Sequence, residues 1–154
     1  MKNNKMNKRF LPYSRQNLDK SDINEVKKVL KSNFITQGPK ILEFEKNFAK
    51  YVNSKYAVAC ATGTAALHMA CQSLNISKDD NIITSPITFV ASANCGEFVG
   101  AKTYFADIDH RNFCIDPVNL EKILKKKKIK LVVVVHMTGH SADMQKIYSL
   151  KKKI

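Results

Sequence analysis

The stretch Tyr56-Ala57-Val58-Ala59-Cys60-Ala61-Thr62-Gly63-Thr64-Ala65-Ala66-Leu67-His68 decides how this chain is read. Residues 56–61 form a short apolar run suited to a strand, and Leu67, Ala70, Cys71 and Leu74 then fall on one face of a helix. Small residues therefore stand where a strand meets a helix N-terminus. The first backbone N–H groups of a helix have no partner inside it, and the helix dipole there favours an anion. Gly63 lets the backbone approach a phosphate closely, and the Thr62 and Thr64 hydroxyls can add hydrogen bonds. An ordinary strand-to-helix turn with a threonine cap reads the same residues equally well, because short glycine-containing turns are weak signals. The spacing is neither GxGxxG nor GxxxxGKS/T, which disfavours a dinucleotide or a P-loop nucleotide and leaves a phosphate on something smaller.

Downstream, short apolar runs alternate with helical patterns. Strands are expected over 56–61, 81–84, 102–106 and 129–135, the last an almost unbroken Leu/Val run suited to a strand covered on both faces. Helices are expected over 64–74, 89–99 and 117–125 and from about 142 onward, with Asp116-Pro117 as a cap and first helical residue. This alternation implies an α/β fold, a mostly parallel sheet with helices on its faces. Upstream, Ile23, Val26, Val29 and Leu30 give a helix over 19–32 with Asp19, Ser21 and Asp22 available to cap it. A turn-forming break at Phe34-Ile35-Thr36-Gln37-Gly38-Pro39 leads to a second helix carrying Ile41, Phe44, Phe48 and Tyr51. Residues 1–10 are polar, basic and aperiodic, and read as a disordered lead-in.

A second polar segment, Ser85-Pro86-Ile87-Thr88-Phe89-Val90-Ala91-Ser92-Ala93-Asn94, follows the strand at 81–84, at the edge where parallel sheets gather ligands. Phe89 could lie over a flat heteroaromatic ring by offset stacking, although a lone phenylalanine is more often a core residue.

The 154 residues fit one domain that buries roughly 68–70% of its unfolded-chain surface, and a hydrophobic content of 44% is that of a globular chain. No apolar run approaches the ~20 residues that cross a bilayer, and no apolar core follows the basic N-terminus, so the expected location is the cytoplasm. Cys60, Cys71, Cys95 and Cys114 have no CxxC or metal-finger spacing and read as reduced, mostly packed residues. The net charge of +13 invites a nucleic-acid reading. The excess, however, is mostly lysine, concentrated in 125–128 and 151–153 where helices should end, with no aromatic residues interleaved to stack on bases.

Taken in order, PYSRQNLDKSD, ITQGP, FEKNFAKYV, ATGTAALHMA, SPITFVASAN, GAKTYFADID and VVVVHMTGHSADM resemble the DegT/StrS group of fold-type I aminotransferases from about Leu11 to the end. These enzymes act on keto sugars carried by nucleotides. The resemblance implies the N-terminal part of a large domain of the fold-type I, pyridoxal-phosphate-dependent transferases, three-layer α/β/α. Its organisation would be a lead-in (1–10), N-terminal helices with a substrate-side loop (11–55) and a partial cofactor-binding domain (56–154). It also implies pyridoxal 5′-phosphate as cofactor, its phosphate on Thr62, Gly63 and Thr64 and its ring under Phe89. The sugar nucleotide would lie against Tyr13, Asn33, Phe34, Ile35 and Thr36. The wording of PYSRQNLDKSD and PITFVASANC is most similar to the branch that aminates C4 of a UDP-linked 4-keto-6-deoxy sugar on the way to pseudaminic acid. Glutamate is then the expected amino donor, and a homodimer the assembly of intact members.

The family's reaction needs a Schiff-base lysine and an aspartate beside the pyridine nitrogen. Both lie later in the family's chain, and no lysine here matches the motif, so no catalytic residue is nominated and the chain is expected to be inactive alone. The resemblance also puts the strand at 56–61 at a sheet edge whose neighbour is missing, leaving open, aggregation-prone edges. A non-catalytic phosphate-binding module is the competing function, and a basic nucleic-acid-binding protein a more distant one. No metal site is expected. Asp107, Asp109 and His110 read as structural, His136 and His140 share a loop rather than a helix face, and His68 reads as a packed helix residue.

Overall fold

A computed structural model describes Pro12 and residues 14–151. The lead-in assigned to 1–10, and Tyr13 among the expected substrate residues, lie outside the described residues. The chain divides between Ala59 and Cys60 into two compact units.

The first unit is helical. Helix α1 (Lys20–Leu30) starts at a capping box in which the Asp19 carboxylate accepts from the Ser21 and Asp22 N–H groups while the Asp22 side chain accepts from Asp19 N at 2.9 Å. Helix α2 (Pro39–Tyr51) starts at Gly38-Pro39, where proline's fixed φ suits the first helical position. Lys40 joins the helices by reaching Glu25 of α1 at 3.1 Å as well as Glu43 at 2.8 Å.

The second unit carries the sheet. Strands β1 (Asn81–Thr84), β2 (Lys102–Phe105) and β3 (Leu131–Val132) are all parallel, in the order β2-β1-β3. β1 is central, with Asn81 opposite Lys102 on one side and Ile82 opposite Leu131 on the other. Because strand side chains alternate in direction, Ile82 and Ile83 face opposite ways, and each organises a core. Ile82 packs with Cys71 of α3 (Gly63–Ser73) and Cys95 of α4 (Ala91–Glu97). Ile83 packs with Leu120 and Leu124 of α5 (Pro117–Leu124) and with Ile147 and Leu150 of α6 (Met144–Leu150). The result is three layers, helix, sheet, helix, as the sequence implied. Gly96 sets the spacing on the first face: a Cβ there would stand 2.3 Å from Ile82 Cδ1, so α4 lies directly on β1. Asp116 caps α5 through Val118 N, with Pro117 at its first position.

Two expectations fail in instructive ways. Residues 56–61 are not a strand. Tyr56 and Val58 are largely exposed, and the Ala59 N–H donates to the Glu45 carboxylate at 2.8 Å instead of to a ladder. No described strand lies alongside, and apolar sequence alone cannot make a strand without one. The run at 129–135 yields only Leu131–Val132 as strand, although the Lys130 and Val133 N–H groups still bond to Asn81 O and Ile83 O at 2.9 Å each. β3 has one neighbour among the described residues, which limits its ladder, but the run is covered on both faces as expected: Leu131 and Val133 pack on the Ile82 core and Val132 and Val134 on the Ile83 core, each half-buried. At β2 the difference is one residue, Ala106 continuing the ladder by its N–H to Thr84 O.

Candidate functional site

Helix α3 opens on the phosphate-turn residues. Thr62 is the N-cap, in extended conformation, and its Oγ1 accepts from Ala65 N at 3.1 Å while its carbonyl accepts from Ala66 N at 3.0 Å. The N–H groups of Gly63 and Thr64, and the Thr64 hydroxyl, bond to no other group among the described residues. Gly63 is not in the left-handed region, and nothing lies within 4 Å of where a Cβ would stand. Neither backbone strain nor packing therefore calls for glycine at 63; the space before the turn is open.

The second segment leaves the carboxyl end of β1. A helix that packs along a parallel sheet and feeds the amino end of a strand starts at the carboxyl edge, so the start of α3 and the start of α4 both belong to that edge. Thr84, Ser85 and Ser92, the buried polar side chains among the described residues, all lie here. Thr84 Oγ1 donates to Val133 O at 2.9 Å, Ser85 Oγ to Ile87 O at 3.4 Å, and the Thr88 and Ser92 hydroxyls are 3.0 Å apart. These hydroxyls brace a turn that leaves Phe89 75% exposed, which sets aside the core reading of that ring. Sequence reasoning passed over Thr84, Thr88 and Ser92. The clustering of hydroxyl residues in Thr84-Ser85-Pro86-Ile87-Thr88 and at Ser92 was the available signal.

Several other polar groups of this unit are engaged in structure. Asp109 takes Arg111 at 2.7 Å, and this hydrogen bond holds its carboxyl down to about 2. The Asp107 carboxylate accepts from Ile108 N at 2.8 Å. His136 Nδ1 accepts from Ala142 N at 3.1 Å, and Thr138 and Gly139, both at positive φ, keep His136 and His140 on a loop. His68 lies against Phe98, ring centres 5.5 Å apart, and 3.3 Å from the Gln72 amide. Burial, and then the neighbouring Cys71 thiol, push the Cys95 thiol up to about 11, so Cys95 is a protonated packing residue. The four cysteines are free, Cys60 exposed and the others buried.

In the first unit, residues 33–36 form a tight connection. The Ser32 hydroxyl donates to Val29 O at 2.7 Å and accepts from Phe34 N at 3.3 Å. Gln37 has φ of 52°, and a Cβ on Gly38 would stand 3.0 Å from Phe34 Cβ, so a side chain at 38 would crowd Phe34. Asn33, Phe34, Ile35 and Thr36 are all exposed, and Phe34 and Ile35 line a groove of about 270 Å³ with Val29 and Ile41.

Residues 16–154 match the model of the DegT/DnrJ/EryC1/StrS aminotransferase family. The chain is 44% identical over 141 residues to the spore coat polysaccharide biosynthesis protein SpsC of Bacillus subtilis, covering 92% of this chain and 36% of SpsC. It is 34% identical to the UDP-4-amino-4-deoxy-L-arabinose–oxoglutarate aminotransferase of Shewanella sediminis, covering 96% of this chain and 38% of that enzyme. Among solved structures it superposes on Helicobacter pylori PseC, an aminotransferase involved in the biosynthesis of pseudaminic acid, with a TM-score of 0.82 and 34% identity over 92% of this chain and 38% of PseC. It thus spans a little over a third of the length of each of these relatives. The chain belongs to the DegT/DnrJ/EryC1/StrS aminotransferase family, whose cofactor is pyridoxal phosphate.

Proposed function

We propose that this chain holds pyridoxal phosphate for the transfer of an amino group to a nucleotide-linked keto sugar. The observation that carries the reading is Gly63, a glycine that neither φ nor packing requires, with open space where a side chain would stand. A side chain at 63 would obstruct the approach to the free N–H groups that begin α3, and an anion would use it. The residues fit a phosphate further. The Thr64 hydroxyl is free to donate, and Thr62, whose oxygen is engaged as cap, still has its proton to give. The exposed Phe89 ring offers a flat face for a pyridine. Bound there, pyridoxal phosphate supplies the electron sink through which an amino group can move.

The finer reading assigns the sugar nucleotide to Tyr13, Asn33, Phe34, Ile35 and Thr36, the amino donor to glutamate, and the acceptor to C4 of a UDP-linked 4-keto-6-deoxy sugar. The names of two relatives, one making a UDP-amino sugar against oxoglutarate and one serving pseudaminic acid biosynthesis, support it. We place the work in the cytoplasm and in a homodimer, on the family resemblance. No lysine in these residues matches the family's Schiff-base motif, so the residues present bind and orient, and we assign none of them the proton transfer.

The test is calorimetric titration with pyridoxamine 5′-phosphate, which has no aldehyde to react with surface lysines. Gly63→Val should weaken binding at least about tenfold, a loss of ~1.4 kcal/mol. Pyridoxamine without its phosphate should bind far more weakly to the wild-type chain. Equal binding by Gly63→Val would sink the assignment. Inorganic phosphate binding as tightly as pyridoxamine phosphate would favour a phosphate module without a ring site.

A further inference from the structure

Phe89 is held in a way its own packing does not explain. Its ring is 75% exposed and its neighbours Ile87 and Val90 are 41% and 58% exposed, so the apolar anchoring of this segment begins only at Ala91, 4% exposed, and the ring itself is not held by burial. Helix α4 also starts without a side-chain cap at Val90. Against this stands a polar investment one residue before and three residues after the ring. Ser92 is 7% exposed and the Thr88 hydroxyl lies 3.0 Å from its Oγ, a side-chain bond that spans Phe89 from 88 to 92. Ser92 N also donates to Phe89 O at 3.0 Å, and Ala93 N and Asn94 N to Val90 O at 3.0 Å each. The upstream end of the turn is fastened to the sheet by Thr84 Oγ1 on Val133 O. Ser92 is buried and Thr88 half-buried, so their hydrogen bond is partly shielded from water, and losing Thr88 leaves the buried Ser92 hydroxyl without this partner. The turn is therefore rigid where its side chain is most exposed, the reverse of an ordinary surface loop.

We infer that the Thr88–Ser92 hydroxyl pair is a positioning device that presents the Phe89 ring at the carboxyl edge of β1 to a flat heteroaromatic ligand. The inference rests on the proposed function. It adds that ring affinity depends on two residues that do not touch the ligand, and that phosphate affinity does not.

The test uses the full chain with pyridoxamine 5′-phosphate as probe, reading the dissociation constant and the circular dichroism induced in the probe's absorption band, with inorganic phosphate titrated in parallel. Thr88→Val should weaken probe binding about tenfold and reduce the induced signal, while leaving inorganic phosphate within about twofold of wild type. Thr88→Ser, which keeps the hydroxyl, should restore both. If Thr88→Val fails to fold, Ser92→Ala removes the other half of the pair and carries the same expectation. Wild-type behaviour in both hydroxyl-deleting variants, with weakened binding in Phe89→Leu, would overturn the positioning role and leave the ring site standing. Wild-type binding in Phe89→Leu as well would overturn the ring site itself.

Discussion

The two units of this chain use apolar residues to opposite effect. In the first, α1 buries no residue and α2 buries only Ala49, although Ile23, Val26, Leu30, Phe44 and Phe48 follow the helical period. In the second, Ile82, Ile83, Leu120 and Cys95 are wholly buried. The difference lies less in composition than in the presence of a sheet. β1 offers two faces, and each recruits two helices, so a four-residue strand organises both cores. Helices α1 and α2 have no such platform inside their unit. They stand on caps, on the Lys40 bridge and on the stacked Phe44 and Phe48 rings, 5.7 Å apart. Amphipathic periodicity reports which face of a helix is apolar, and only a partner surface turns that face into a core.

Five substitutions probe this contrast. The largest effect should come from Leu120→Ala, which removes a fully buried side chain beneath β1 and should cost about 2–5 kcal/mol in a urea unfolding curve. A cost no larger than that of Phe44→Ala would break the comparison. Next, Gly96→Ala places a Cβ 2.3 Å from Ile82 Cδ1, so α4 or Ile82 must move, at about 1–3 kcal/mol by the same measurement. In the first unit the sensitive positions should be caps rather than core residues. Asp19→Ala deletes the capping box and should lower the helicity of α1, read by circular dichroism. The smallest effect concerns pH. Asp109, held at about 2 by Arg111, is ionised more readily in the folded chain than at its ordinary value of 3.8. Its contribution is thus complete above the unfolded pKa and disappears as pH falls through about 2. In Arg111→Ala the Asp109 midpoint, followed by NMR titration, should rise toward 3.8.

What was legible follows the range of the interactions involved. Helix starts at Asp19, Thr62 and Asp116-Pro117 came through because a cap and the N–H groups it satisfies are neighbours in sequence. The 81–84 strand was read with its observed bounds, its short apolar run being central in the sheet and paired on both sides. The equally apolar 56–61 and 129–135 were misread, wholly and in part, because a strand's existence and length belong to its neighbours as much as to its own side chains.

The candidate site divides in the same way. The identity of the turn residues, the glycine between two threonines and the position of Phe89 after a strand were all visible in the sequence, as was the ordered series of motifs that carries the family resemblance. Left undecided was whether Gly63 serves a turn or an open approach, and whether Phe89 belongs to the core or to a surface. Those two answers required the fold, since the space before Gly63 and the exposure of Phe89 depend on what other segments do not cover. By itself the sequence determined the local caps, the helical faces, the strand at β1 and the family. Tertiary structure alone decided which apolar runs find partners, how closely α4 can approach β1 through Gly96, and that the Thr84 hydroxyl ties the start of the Phe89 turn to Val133. The physical reason is that caps and periodicity act within a few residues, whereas strand pairing, open space and the Thr84–Val133 tie are set by residues far apart in the chain.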